Sequence, residues 1–188
     1  NKYLEPIAQK AQLITRNYFG NVVSLFTPLY IANYCENNCP YCSFACHQSI
    51  FRKQLSSDQI AQEVAAIDQM GIRQILILTG ESRNVTSFDY LKQSIQLIAP
   101  TFSSVGIEVY PLAENEYKDL VFHGVDMLTI YQEVYNEKQY RKFHTSGPKK
   151  DYQFRLAAPD RAAKAGVRSL QIGTLLGLYN FYKESWAL

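Results

Sequence analysis

Five short runs rich in aliphatic and β-branched residues recur along this chain, separated by stretches that read as helix rather than as hairpin turns. The runs are 28–34 (PLYIANY), 72–79 (IRQILILT), 105–110 (VGIEVY), 126–131 (DMLTIY) and 167–173 (VRSLQIG). Residues 57–70 place Ile60, Val64 and Ile67 on one helical face, with Ser57 available as a cap and Gly71 as a stop. Residues 87–98 lead to Pro100, 113–122 end at Gly124, and 159–165 open on Pro159 and close at Gly166. Strands that alternate with helices pair in parallel, through right-handed crossovers. The expected class is α/β, and a (β/α) partial TIM-type barrel is its natural closure. Chemistry in such folds sits at the C-terminal ends of the strands. The segments CENNCPYC, TGES, EVYPLAE, YQEVY and IGTLLGL all fall there. Only fifteen residues follow the last run, so the barrel is expected to lack at least one strand and to be truncated at its C-terminal side. Residues 1–27 read as a helical segment leading in, with Leu4, Ile7, Ala11 and Ile14 three or four apart, and 28–188 as the incomplete core.

Charge excludes some partners. Nineteen basic and 17 acidic side chains leave a net charge of +2, with no run of like charge to mark a nucleic-acid surface. No stretch approaches the ~20 apolar residues of a membrane span, and the first twenty residues lack the layout of a signal peptide. The four cysteines, Cys35, Cys39, Cys42 and Cys46, crowd into twelve positions. A disulfide scaffold spreads its cysteines to staple distant parts. Crowding points to a metal or cluster site in a reducing compartment, the cytoplasm.

The spacing C-x3-C-x2-C puts three thiolates on one tight loop, directly after a strand. Three thiolates cap three irons of a 4Fe–4S cubane and leave the fourth iron without a protein ligand. A four-thiolate zinc site normally uses two distant C-x2-C pairs, and only one is present. Two other readings stand beside this one: Cys46 as a fourth ligand, closing the cluster for electron transfer only, and four plain buried thiols.

This spacing, with an aromatic residue before the last cysteine, resembles the radical S-adenosylmethionine superfamily. The resemblance implies that Cys35, Cys39 and Cys42 bind the cluster and that S-adenosylmethionine is the second cofactor. It places Tyr41 near the adenine. Thr79-Gly80-Glu81 resembles the element that takes the methionine amino group, with Thr79 in place of its first glycine. Glu133 would grip the ribose hydroxyls or the amino group, with Gln132 as the neighbouring candidate. Arg155 would fork onto the methionine carboxylate. Gly173, Leu175 and Gly177 would pass under the purine. Further blocks, among them LFTPLYIANYCENNCPYCSF, EVYPLAENEY, IYQEVYNEKQYRKFH and SGPKKDYQFRLAAPDRAAKAG, look like the ThiH family of tyrosine lyases. That resemblance implies cleavage of the Cα–Cβ bond of L-tyrosine to 2-iminoacetate and p-cresol for thiazole and thiamine biosynthesis. It implies a reductant such as flavodoxin or ferredoxin, and a place beside the thiazole synthase. The HydG-type tyrosine lyases of hydrogenase maturation share several of these blocks and are the alternative, as is a non-catalytic iron–sulfur electron-transfer domain. Ser43, where the family usually has glycine, departs from the pattern. Glu108 and Tyr110 are candidates to face the substrate. His123 and His144 read as structural.

Overall fold

The computed structural model describes residues 2–188. Five strands, β1 (Phe26–Ala32), β2 (Gln74–Thr79), β3 (Ser104–Glu108), β4 (Val125–Glu133) and β5 (Ser169–Thr174), form one parallel sheet in sequential order. Sequential order without a reversal is the wall of a barrel rather than a doubly wound sheet. β1 and β5 are its two edges, so the barrel is partial.

Side-chain alternation sorts the sheet into two faces. Leu29, Ile31, Ile75, Ile77, Val105, Ile107, Leu128 and Ile130 are buried on the outer face. They pack against helices α2 (Ser57–Gln69), α3 (Phe88–Ile98), α4 (Glu114–Phe122) and a later helix at Ala158–Lys164. Ile60, Val64 and Ile67 form the buried stripe of α2, as their spacing dictates. Fully burying one such side chain is worth about 1.5–3 kcal/mol, so this layer dominates stability. The helix cap is Ser56, one residue before the expected Ser57. Ser56 accepts from the Gln59 N–H while Gln59 reaches back to the Ser56 N–H, closing a capping box.

β1 begins and ends two residues earlier than the apolar run suggested, which frees Asn33 and Tyr34 for the loop that follows. α1 (Leu4–Phe19) is helical as read, but none of its residues is buried. Three elements were not foreseen: α5 (Glu137–Phe143), α6 (Tyr152–Leu156) and α8 (Phe181–Ala187), with α7 (Ala158–Lys164) between the last two. α5 carries signals that could have revealed it: Asn136 accepting from the Gln139 N–H, Glu137 in the first turn, Arg141 and Lys142 in the last. Arg161 is half-buried. Its guanidinium donates to the Leu112 and Phe154 carbonyls at 2.9 and 2.7 Å. No helix among the described residues is long and apolar enough to cross a membrane.

Candidate active site

The loop after β1 has no regular secondary structure and must be held by contacts that its own sequence does not supply. Asn33 starts it, donating to the Phe51 carbonyl at 2.8 Å and accepting from the Lys53 N–H at 2.7 Å. Arg52 then gathers four carbonyls, those of Asn33, Phe44 and Ala45 at 2.6–2.8 Å and that of Gln48 at 3.4 Å. Between these anchors lie two tight turns, with the Cys42 N–H donating to the Cys39 carbonyl and the Ala45 N–H to the Cys42 carbonyl.

Asn37 is the buried centre of the loop. Its amide donates to Glu81 Oε2 at 2.9 Å and accepts from the Lys149 N–H at 2.8 Å, and its carbonyl accepts from the Cys46 N–H. Two glycines let the backbones come this close. A Cβ on Gly80 would collide with the Tyr34 carbonyl, and one on Gly147 would strike Glu36 and Asn37. Gly147 also has φ +75, in the region that favours glycine.

Cys35, Cys39 and Cys42 all line one cavity of about 280 Å³, together with Tyr41, Gly80, Glu81, Glu133 and Arg155. Cys46 is exposed and lies outside it. Gly173, Leu175 and Gly177 are not brought into the cavity. Gly173 makes room for the Tyr131 ring, which a Cβ would approach to 2.8 Å. Leu175 contributes its N–H to the Glu133 carbonyl instead of a side chain to the wall. Gly177 has open space around it. Gln132 points away, its amide donating to the Tyr152 carbonyl and its oxygen unpartnered. Tyr110 is a core residue whose hydroxyl donates to the Thr86 carbonyl, whereas Glu108 does line the cavity.

The cavity holds two ion pairs. Arg155 donates to Glu81 Oε1 at 2.6 Å and to the Tyr131 carbonyl at 2.8 Å. Burial alone would push the Glu81 carboxyl up, but the Arg155 guanidinium, Lys149 and the Asn37 amide hold it below the ordinary carboxylate range. Lys149 ion-pairs with Glu133 Oε1 at 2.8 Å, and its ammonium lies 5.7 Å from the centre of the Tyr41 ring. Lys149 and Asn37 were not singled out from sequence. Lys149 belongs to the SGPKK block, and only the close approach of two loops brings it here.

Glu133 is the one non-glycine residue at positive φ among the described residues, at +67. The Val134 N–H donates to the Gln132 carbonyl at 2.8 Å, closing a three-residue turn around it. Such a conformation costs about 1–3 kcal/mol and persists where its surroundings enforce it. Thr174 and Leu175 enforce it by donating to the Glu133 carbonyl at 2.8 and 2.9 Å. The strain turns the carboxylate of an edge-of-strand residue toward the cavity.

Tyr41 and His144 form a second buried polar cluster. The Tyr41 hydroxyl lies 2.7 Å from His144 Nε2, and His144 Nδ1 lies 2.9 Å from the Tyr140 carbonyl. A carbonyl only accepts, so Nδ1 carries the proton and Nε2 accepts from Tyr41. Burial, aided by Lys149, pushes the His144 imidazole down to about 3, so it is neutral.

The donor set fits an iron–sulfur cluster. Burial pushes the Cys39 thiol up to about 11 and raises Cys35, so a free thiolate is costly and a cation must displace its proton. The Phe44 N–H points at Cys42 Sγ at 3.4 Å, and the Asn37 and Glu81 N–H groups serve Cys35, the hydrogen bonds that thiolates on a cluster take up. Among the described residues no three such side chains converge as ligands of a single metal ion. Thiolates that each take a different iron stand farther apart than ligands sharing one ion.

Residues 29–187 match the Radical SAM superfamily. This chain belongs to that superfamily. Among curated proteins, a radical SAM relative of 44% identity over 176 residues is 2-iminoacetate synthase of Escherichia coli (strain K12), a match that takes in 94% of this chain and 47% of that protein. Among solved structures, HydG, a maturase of the FeFe-hydrogenase, superposes with a TM-score of 0.94 at 31% identity, over 100% of this chain and 42% of that one. Methylornithine synthase (PylB) superposes with a TM-score of 0.84 at 23% identity, over 100% and 55%, and shares the fold. The chain spans about half the length of the curated relatives it matches. The partial barrel of the radical SAM kind is thus the fold of this chain.

Proposed function

We propose that the chain is the cluster-bearing part of a radical S-adenosylmethionine lyase that cleaves the Cα–Cβ bond of L-tyrosine to 2-iminoacetate and p-cresol. One observation carries the reading: the three cysteines share a single cavity with Tyr41, Gly80, Glu81, Glu133 and Arg155, and Cys46 does not. That arrangement favours an open cluster over one closed by a fourth thiolate. The likeness to 2-iminoacetate synthase supports tyrosine as substrate and thiazole assembly as destination.

Cys35, Cys39 and Cys42 would hold the cluster. When bound, the cluster and S-adenosylmethionine supply the one-electron chemistry that the protein's own side chains cannot. The chain's part is to bind, orient and enclose. Glu133, turned inward by its strained backbone, offers acceptors for hydroxyl groups. Arg155 keeps one terminal nitrogen beside Glu81 without a partner among the described residues, available to a carboxylate. Tyr41, fixed by His144, offers a ring face to a purine. The half-buried setting limits water, which protects reactive species from side reactions.

The test is anaerobic reconstitution with iron and sulfide, followed by reductant, S-adenosylmethionine and L-tyrosine. Formation of 5′-deoxyadenosine, methionine and p-cresol is expected, with flavodoxin or ferredoxin able to replace dithionite. 5′-Deoxyadenosine without p-cresol would retain the superfamily chemistry and discard tyrosine. A protein that takes up zinc in place of the cluster would overturn both.

A further inference from the structure

Strand register fixes what lies deeper in the cavity. Tyr30 pairs with Leu78 and Leu78 with Glu108, and the Ile107–Leu128 pairing sets Glu108 beside Thr129. These four side chains form a row across the inner face, and all four line the cavity. One step below, Gly106 leaves a gap that Met127 and Leu76 fill, so the row stands on an apolar floor. At the mouth, the Tyr30 and Phe44 rings meet edge to face with centres 5.8 Å apart.

The charges in the cavity do not cancel. Glu81 is matched by Arg155 and Glu133 by Lys149. Glu108 remains: among the described residues no hydrogen bond or ion pair is made to its carboxylate, and Arg155 and Lys149 act on it only at a distance. Thr129, its neighbour in the row, spends its hydroxyl proton on Gln171 Oε1 at 2.9 Å. Burial, and then the Glu133 charge, push the Glu108 carboxyl up, and the more distant Arg155 and Lys149 only partly offset them. An unpaired, half-buried carboxylate is costly unless a cation completes it. The two cations already present are committed, so the partner comes from a ligand.

We propose that Glu108 receives the α-ammonium group of the amino-acid substrate, holding it in the lumen above the Leu76–Met127 floor. This rests on the reading of the substrate as an amino acid. Glu108 accepts two of the ammonium protons as charge-assisted bonds, while the apolar floor and the Tyr30–Phe44 rings accommodate the side chain.

Calorimetry on the reconstituted protein with S-adenosylmethionine tests this, using L-tyrosine and 3-(4-hydroxyphenyl)propionate, which lacks only the amine. Hydrogen bonds to charged groups imply a loss of roughly 10–100-fold in tyrosine affinity for Glu108→Gln. The propionate should bind Glu108→Gln as it binds the parent, S-adenosylmethionine affinity should be unchanged, and Glu108→Asp should restore part of the loss. Glu108→Gln should also melt no lower than the parent, because it removes an unpaired charge. Equal weakening of both ligands, or weakening of S-adenosylmethionine alone, would overturn the assignment. So would tyrosine affinity untouched by Glu108→Gln, which would leave the lyase reading intact. If the parent refuses tyrosine but binds another α-amino acid such as L-phenylalanine or L-ornithine, with an ammonium dependence lost in Glu108→Gln, the lyase reading falls and the Glu108 assignment stands. Failure of every α-amino acid to bind would end it.

Discussion

Glu81 and Arg155 lie 74 positions apart in sequence and meet at 2.6 Å, both nearly sealed from solvent. The pair joins the end of β2 to α6 across the mouth of the barrel. It also limits what Arg155 can do: one nitrogen is spent on Glu81 and another on the Tyr131 carbonyl.

Removing one partner strands the other in a poorly solvated place. Arg155→Met is expected to cost about 3–5 kcal/mol, because Glu81 loses its main counter-charge. Arg155→Lys keeps the charge but not the two-way fork, and should cost less. Denaturant unfolding of both variants measures the difference. Equal losses would show that the fork, not the charge, is what matters.

The two close backbone approaches make a sharper test of the loop's seating. Gly80→Ala and Gly147→Ala each place a methyl group where a backbone already lies. Overpacking of this kind costs about 1–3 kcal/mol, and the positive φ of Gly147 adds to its cost. Reduced iron retention after reconstitution should accompany the lower melting temperature. Gly71→Ala is the control for a positive φ alone, since nothing lies within 4 Å of the Cβ it would add.

Acid should act first through His144. Its folded value of about 3 lies below the ordinary 6.5, so below pH 6.5 the unfolded chain binds a proton that the folded chain refuses. Stability contributed by the neutral ring is complete above pH 6.5. It falls as pH drops toward 3, by at most about 1.4 kcal/mol per pH unit for this group. Glu81 joins below pH 4.5: its folded value is depressed, so its contribution is complete above 4.5 and lost on further acidification. His144→Gln should flatten the stability profile between pH 6.5 and 4.5, whatever it does to absolute stability. A parallel profile would place the titration elsewhere.

Cysteine substitution separates ligands from bystander. Cys35→Ala, Cys39→Ala and Cys42→Ala should each lose reconstituted iron and sulfide, whereas Cys46→Ala should hold as much as the parent. Chelation of iron from the parent should restore reactivity of three thiols toward an alkylating reagent beyond the exposed Cys46. Loss of the cluster in Cys46→Ala would make Cys46 a ligand.

The strands and long helices were legible because each buries a regular face. Continuous runs such as QILILT and the 60, 64, 67 stripe leave that burial written in the residue order. The cysteines and five polar residues that line the cavity, Tyr41, Glu81, Glu108, Glu133 and Arg155, were singled out from the segments that follow the strands. Asn37 and Lys149 were not, nor was the partner of His144, because these contacts cross two loops with no periodicity to align them. Gly173 shows the reverse case. A glycine at a strand end signals a close approach, but the ring it admits is Tyr131 of the neighbouring strand. Glu133 was chosen for its carboxylate, while the positive φ that aims it left no mark in the sequence.

The loop bearing the cysteines is written early in the chain and finished late. Asn37 waits for Lys149, 112 residues downstream, and Tyr41 waits for His144, 103 residues downstream. During synthesis from the N-terminus, three thiols therefore emerge on a slack tether well before their enclosing walls exist. A chain stopped between Tyr41 and His144 therefore carries all three thiols but neither of the contacts that seat their loop.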